Sequence, residues 1–228
     1  MPGRYRTLEG VVVGRKALPS GAVVLRMLTP EGPVRALAKG GDRPSARSGR
    51  LSLFYRVRFQ LYQREQSEGL ATLTQVTLEE PLRITRPEAF AAAGLLAELS
   101  WHLLSPEIAR RGFALLTSAF RGLAQGADWR AVLVWAGFRL LKLAGHAPAG
   151  RGSYLDPEGA LLSMPKEGTV YLGEEGARAL AAVLHRPGKE ALKTLEEAPL
   201  DRLLAGFLRY AEHQAGPLKS APLLRRLA

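Results

Sequence analysis

Residues 51–64 read LSLFYRVRFQLYQR, and their alternation decides the architecture. Leu51, Leu53, Tyr55, Val57, Phe59 and Leu61 fall on one side at period two. Ser52, Phe54, Arg56, Arg58, Gln60, Tyr62 and Arg64 fall on the other. Successive side chains of a strand point to opposite faces, so the first set suits a core. The second set mixes three arginines with two aromatic rings. Working outward, Leu8–Gly14, Gly21–Leu28, Val34–Ala38 and Leu70–Leu78 also read as strands, and Pro30-Glu31-Gly32 is a hairpin signal between two of them. Five strands in about 75 residues, with one long basic connector, predict a small antiparallel barrel of the oligonucleotide-binding (OB) type.

From Pro87 the period becomes helical. Glu88–Leu104, Glu107–Ala124 and Asp128–Ala144 are long and Ala/Leu-rich, broken at Ser105-Pro106 and Gly126. Glu174–His185, Lys189–Ala198 and Leu200–Gln214 continue the pattern, with Pro187-Gly188 and Pro199 as breaks. Between the two sets lies Gly145–Gly173, rich in Gly and Pro, where Leu161–Met164 and Thr169–Leu172 predict a hairpin. The expected class is therefore α+β: a five-stranded OB-fold barrel over residues 1–80, then a helical domain over 81–228 with a small inserted module at 145–173.

Composition narrows the function. The 228 residues are 46% hydrophobic and 23% charged, an ordinary globular balance that suits one large domain or two small ones. There is no cysteine, which excludes disulfides, thiol catalysis and cysteine-ligated metal. No apolar run approaches the roughly 18 residues of a spanning helix, and no secretory signal is visible, so a cytoplasmic protein is expected. The 32 Lys and Arg exceed the 21 Asp and Glu to give a net charge of +11. Almost all of that excess sits in residues 1–64, where 13 cations face Glu9, Glu31 and Asp42 alone. A polyanionic partner follows from such an asymmetry.

The sharpest local signal is the connector KGGDRPSARSGR at 39–50. Lys39, Arg43, Arg47 and Arg50 recur every three or four residues among Gly, Ser and Pro, a loop suited to following a phosphate backbone without reading sequence. It adjoins the strand face carrying Arg56, Arg58 and Arg64 beside Phe54 and Tyr62, whose rings are candidates for stacking unpaired bases. Lys219, Arg225 and Arg226 form a second, smaller basic group near the C-terminus. Enzyme signals are poor. His102, His146, His185 and His213 form no HExxH or HxxxH pattern, and neither GxSxG nor GxxxxGK[ST] occurs. No catalytic residue, metal or nucleotide cofactor is expected.

Three segments together resemble the RecO family of bacterial recombination mediators: VRALAKG at 34–40, LLKLAGHAP at 140–148, and GPLKS at 216–220 with Leu223 and Leu224. Their order and spacing carry the likeness. The resemblance implies an OB barrel, a helical domain and an inserted four-cysteine zinc module. The cysteines of that module are missing here, and Ser163 and Lys166 stand where its second pair would fall. A metal-free remnant is thus expected over 145–173. The resemblance also implies a non-enzymatic DNA-repair protein that binds single- and double-stranded DNA and anneals complementary strands without ATP. Its implied partners are RecR, RecF in some members, the acidic tail of single-strand-binding protein and, indirectly, RecA. The rival reading is an RNA-binding OB-fold protein with a helical partner-binding domain.

Overall fold

The alternation at 51–64 does build a strand, but only from Arg56 onward. The computed structural model describes residues 3–41, 49–64 and 70–227. In it β1 (Gly3–Ala17), β2 (Val23–Thr29), β3 (Gly32–Ala38), β4 (Arg56–Arg64) and β5 (Ala71–Glu80) close a barrel in the order β1-β2-β3-β5-β4. All pairings are antiparallel except β3 with β5, which is parallel and spans two residue pairs, Ala36↔Ala71 and Leu37↔Thr72. Leu25, Met27, Val57, Phe59 and Leu73 fill the interior, as their alternation requires.

Two local devices shape the ring. Thr29 accepts the Glu31 N–H at 3.1 Å and donates to the Gly32 carbonyl at 2.7 Å, which fixes the two-residue hairpin loop at Pro30-Glu31. The register of β2 on β3 follows from it. β1 carries an irregularity between Val12 and Gly14. Opposite it the chain at 51–55 turns instead of extending: Phe54 has φ 64° and donates its N–H to the Val12 carbonyl at 2.7 Å. Leu51–Arg64 is therefore not one strand.

Gly10 is needed where β1 presses on β2. A Cβ there would lie 2.7 Å from the Leu28 carbonyl oxygen and 3.1 Å from the Phe59 ring. Neither neighbour sits at the end of a flexible chain. We expect Gly10→Ala to destabilise the protein by about 1–3 kcal/mol, read as a lower urea midpoint at unchanged slope.

The chain forms two compact units, Met1–Arg83 with Ala109–Thr117, and Ile84–Ile108 with Ser118–Ala228. The helices from residue 87 onward are α1 (Pro87–Leu103), α2 (Pro106–Ala124), α3 (Trp129–Leu143), α4 (Gly173–His185), α5 (Gly188–Glu196), α6 (Leu200–Ala215) and α7 (Ala221–Leu227). Pro106 takes the first turn of α2, where its missing N–H costs nothing. Asp128 caps α3 by accepting the N–H groups of Arg130 and Ala131 at 2.8 and 3.2 Å. Apolar residues run around much of α3, and it is accordingly the central helix of the second unit, packed on α1 and α6. Phe207 of α6 lies on Gly137 of α3, where a Cβ would come within 2.2 Å of the ring. Among the described residues no helix is long and apolar enough to cross a membrane.

The inserted module is a four-stranded sheet of order β6-β8-β7-β9, from β6 (Ala149–Gly150), β7 (Tyr154–Leu155), β8 (Ala160–Leu162) and β9 (Val170–Tyr171). Leu161–Met164 and Thr169–Leu172 do not pair with each other as the sequence predicts. The two-residue strand β7 lies between them and pairs with both, because buried Leu155 anchors that register. A strand of two residues has no periodicity to read. Tyr210 of α6 fixes the module: its hydroxyl donates to the His146 carbonyl at 3.1 Å, and its ring sits against Gly159. Burial, aided by the Asp156 carboxylate, pushes the Tyr210 phenol pKa upward and so keeps the donor protonated.

Candidate nucleic-acid interface

The barrel's cations divide into two groups by their neighbours. On β4, Arg56 bridges Glu9 at 3.0 Å and Glu80 at 3.9 Å, and Arg58 bridges Glu79 at 3.1 Å. Arg6 pairs with Glu31 beside the hairpin loop. The β4 face predicted as the basic platform is therefore laced with carboxylates from β1 and β5. The sequence could not show this, because Glu9, Glu79 and Glu80 reach Arg56 and Arg58 only through strand pairing.

A different face concentrates positive charge. Among the described residues, Arg15, Lys16, Val24, Arg26, Arg35 and Leu70 line a cleft of about 370 Å³. The hairpin register sets Arg26 directly opposite Arg35. Gly14, the register partner of Arg26, leaves room for its guanidinium: a Cβ at Gly14 would lie 2.9 Å from Arg26 Nε. Arg15 donates to the Gly41 carbonyl at 2.7 Å, which ties the end of β1 to the start of the basic connector. Exposed Lys39 follows the end of β3 as the first residue of that connector. The β2–β3 surface is the one that OB folds use for oligonucleotides. Sequence reading missed this cleft, although a signal existed. Counting back from the loop at Pro30-Glu31 pairs Thr29 with Gly32 and so Arg26 with Arg35.

The other sequence candidates have distinct fates. Arg43 and Arg47 lie outside the described residues, and of Arg64 only its backbone, opposite Gly3, is described. Arg50 donates to the Val76 carbonyl at 3.2 Å. Phe54 is only 2% exposed, so its ring offers no face to a base; the turn at 51–55 directs it into the protein. Tyr62 is half-buried and pairs with a residue that was not singled out, Tyr5. Arg225 is bonded to Glu212, and the N–H groups of Lys219 and Ser220 are held by Glu98 at 2.7 and 3.4 Å. Lys219 and Arg226 are exposed.

The zinc implied by the family resemblance does not fit the residues present. Ser163 and Lys166 supply no thiolate, and buried Asp156 spends its carboxylate on the Ala160 N–H at 2.6 Å. Among the described residues no three His, Asp or Glu side chains gather as a metal site.

Barrel and cleft together define an OB-type protein with a cationic strand face. Residues 4–82 match the family model described as "Recombination protein O N terminal". Residues 4–82 are therefore similar to the N-terminal domain of the RecO family, and a RecO-like role in recombination and repair is supported. DNA and other recombination proteins are the kinds of partner that go with it. No curated protein matches the chain.

Proposed function

We propose that this protein is a non-enzymatic recombination mediator that binds single- and double-stranded DNA and anneals complementary strands without ATP. The observation that carries this reading is the cleft lined by Arg15, Lys16, Arg26 and Arg35 on the β2–β3 surface of an OB-type barrel. Guanidinium and ammonium groups gathered in one cleft attract phosphates and release their counterions, which binds a backbone regardless of sequence. Two strands neutralised on one protein repel each other less, and their bases are free to pair.

Lys39, Arg43, Arg47 and Arg50 extend the track from the end of β3 through the connector. Arg56 and Arg58, already held by carboxylates, contribute little beside Arg64 at its margin, and Lys219, Arg225 and Arg226 are a second basic group. No metal takes part. RecR, RecF and the acidic tail of single-strand-binding protein are the proposed protein partners, with RecA loaded as a consequence, in the cytoplasm.

The test is an ATP-free annealing assay on complementary strands, first bare and then coated with single-strand-binding protein. Duplex should form faster with the protein than without it on both substrates. No acceleration on bare strands overturns the reading. Acceleration confined to RNA of the same sequence replaces it with the RNA-binding alternative.

A further inference from the structure

Tyr5 and Tyr62 face each other across the β1–β4 ladder, with ring centroids 5.0 Å apart and planes tilted by 45°. Tyr5 is 62% exposed, an unusual position for a large aromatic ring on a sheet. The core lies on the other side of these strands, where Leu8, Phe59 and Leu61 are buried, so the tyrosine pair faces outward. Polar, uncharged groups stand beside it. Thr7 stands opposite Gln60 on the next rung, and Thr72 of β5 stands beside Tyr62. Thr74 donates to the Gln60 side-chain oxygen at 3.1 Å, which orients that amide. Farther along the same face of β4, about 13 Å from Tyr62 at strand rise, comes the Arg58 side chain, itself 62% exposed.

We propose that the Tyr5–Tyr62 pair is a stacking platform for an unpaired base of single-stranded nucleic acid. The proposal rests on the DNA-binding reading above and names which form of DNA the pair takes. Exposed ring surface suits the π-face of any base, while Thr7, Gln60 and Thr72 offer hydrogen bonds to its edge. A duplex hides the faces of its bases, so the platform selects strands that are not yet paired. It stands two strands from the cleft: Thr72 pairs with Tyr62 on one side and with Leu37 of β3 on the other, two residues from Arg35. A strand whose phosphates lie in the cleft is thus within reach of the rings.

The experiment compares two oligonucleotides of equal length and charge, one carrying normal bases and one fully abasic, by fluorescence anisotropy over a salt series. The wild type should prefer the base-bearing strand about tenfold. Tyr5→Ala should abolish most of that preference without changing the salt dependence, and Tyr5→Phe should keep it. Circular dichroism confirms that the variants fold. Equal wild-type binding to both strands overturns the platform alone, leaving phosphate binding intact and the rings to a protein partner. A preference that survives both Tyr5→Ala and Tyr62→Ala also overturns it. Failure to bind either strand overturns the platform together with the reading beneath it.

Discussion

Replacing Lys16, Arg26 and Arg35 together with alanine should cut the salt dependence of DNA binding more than removing any cations of β4. Each phosphate contact to single-stranded DNA contributes about 0.7 to the slope of log affinity against log salt. Three lost contacts lower the slope by about 2, so the variant's deficit relative to wild type shrinks about twenty-fold between roughly 50 and 200 mM salt. At low salt the deficit is therefore largest. These side chains are on the barrel surface, and substitutions there typically move stability by no more than about 0.5 kcal/mol each. Arg15 is left intact because it also holds the Gly41 carbonyl. The control is Arg56→Ala with Arg58→Ala. Those arginines already face Glu9, Glu79 and Glu80, so removing them should change the slope little and cost about 1 kcal/mol in stability. If the control flattens the slope and the cleft variant does not, the interface belongs on β4 after all.

The largest effect on stability is expected at the crossing of α3 and α6. Phe207 is fully buried, packs edge-on to Phe138 with ring centroids 5.3 Å apart, and rests on Gly137. Phe207→Ala leaves a cavity in a dense helical core and should cost about 3–5 kcal/mol. Gly137→Ala attacks the same contact from the other side. Its methyl group would enter the space of the Phe207 ring, at a cost of about 1–3 kcal/mol. The two losses should not add. In the double variant the new methyl occupies part of the vacated volume, giving a favourable coupling of about 0.5–3 kcal/mol. Urea unfolding of the wild type, both singles and the double measures it. Strict additivity would mean that the ring and the glycine are not in contact in solution.

The fold was legible wherever periodicity ran long. The inward set Val57, Phe59 and Leu61 and the helical spacing from Pro87 to Leu143 need only local rules. Phe54 shows the limit of those rules. Its place in an unbroken alternation hides a turn made by a positive φ and a bond to Val12, a partner 42 positions earlier. The candidate site was less legible than the fold because charge is a pairwise property. Arg56 and Arg35 look alike in the sequence. Strand pairing brings Glu9 and Glu80 to one, and sets the other opposite Arg26. The hairpin loop made the Arg26–Arg35 rung derivable. Arg15 and Lys16 were not, because the irregularity between Val12 and Gly14 shifts their register on β2.

The short seam between β3 and β5 makes the ring unequal in stiffness. β1 and β4 are zipped over nine residue pairs, whereas β3 and β5 share two. Local opening begins where the fewest backbone bonds must break. The wall beside the arginines is thus the compliant one, able to widen or narrow around a bulky guest, while the wall bearing the tyrosines stays a fixed anvil.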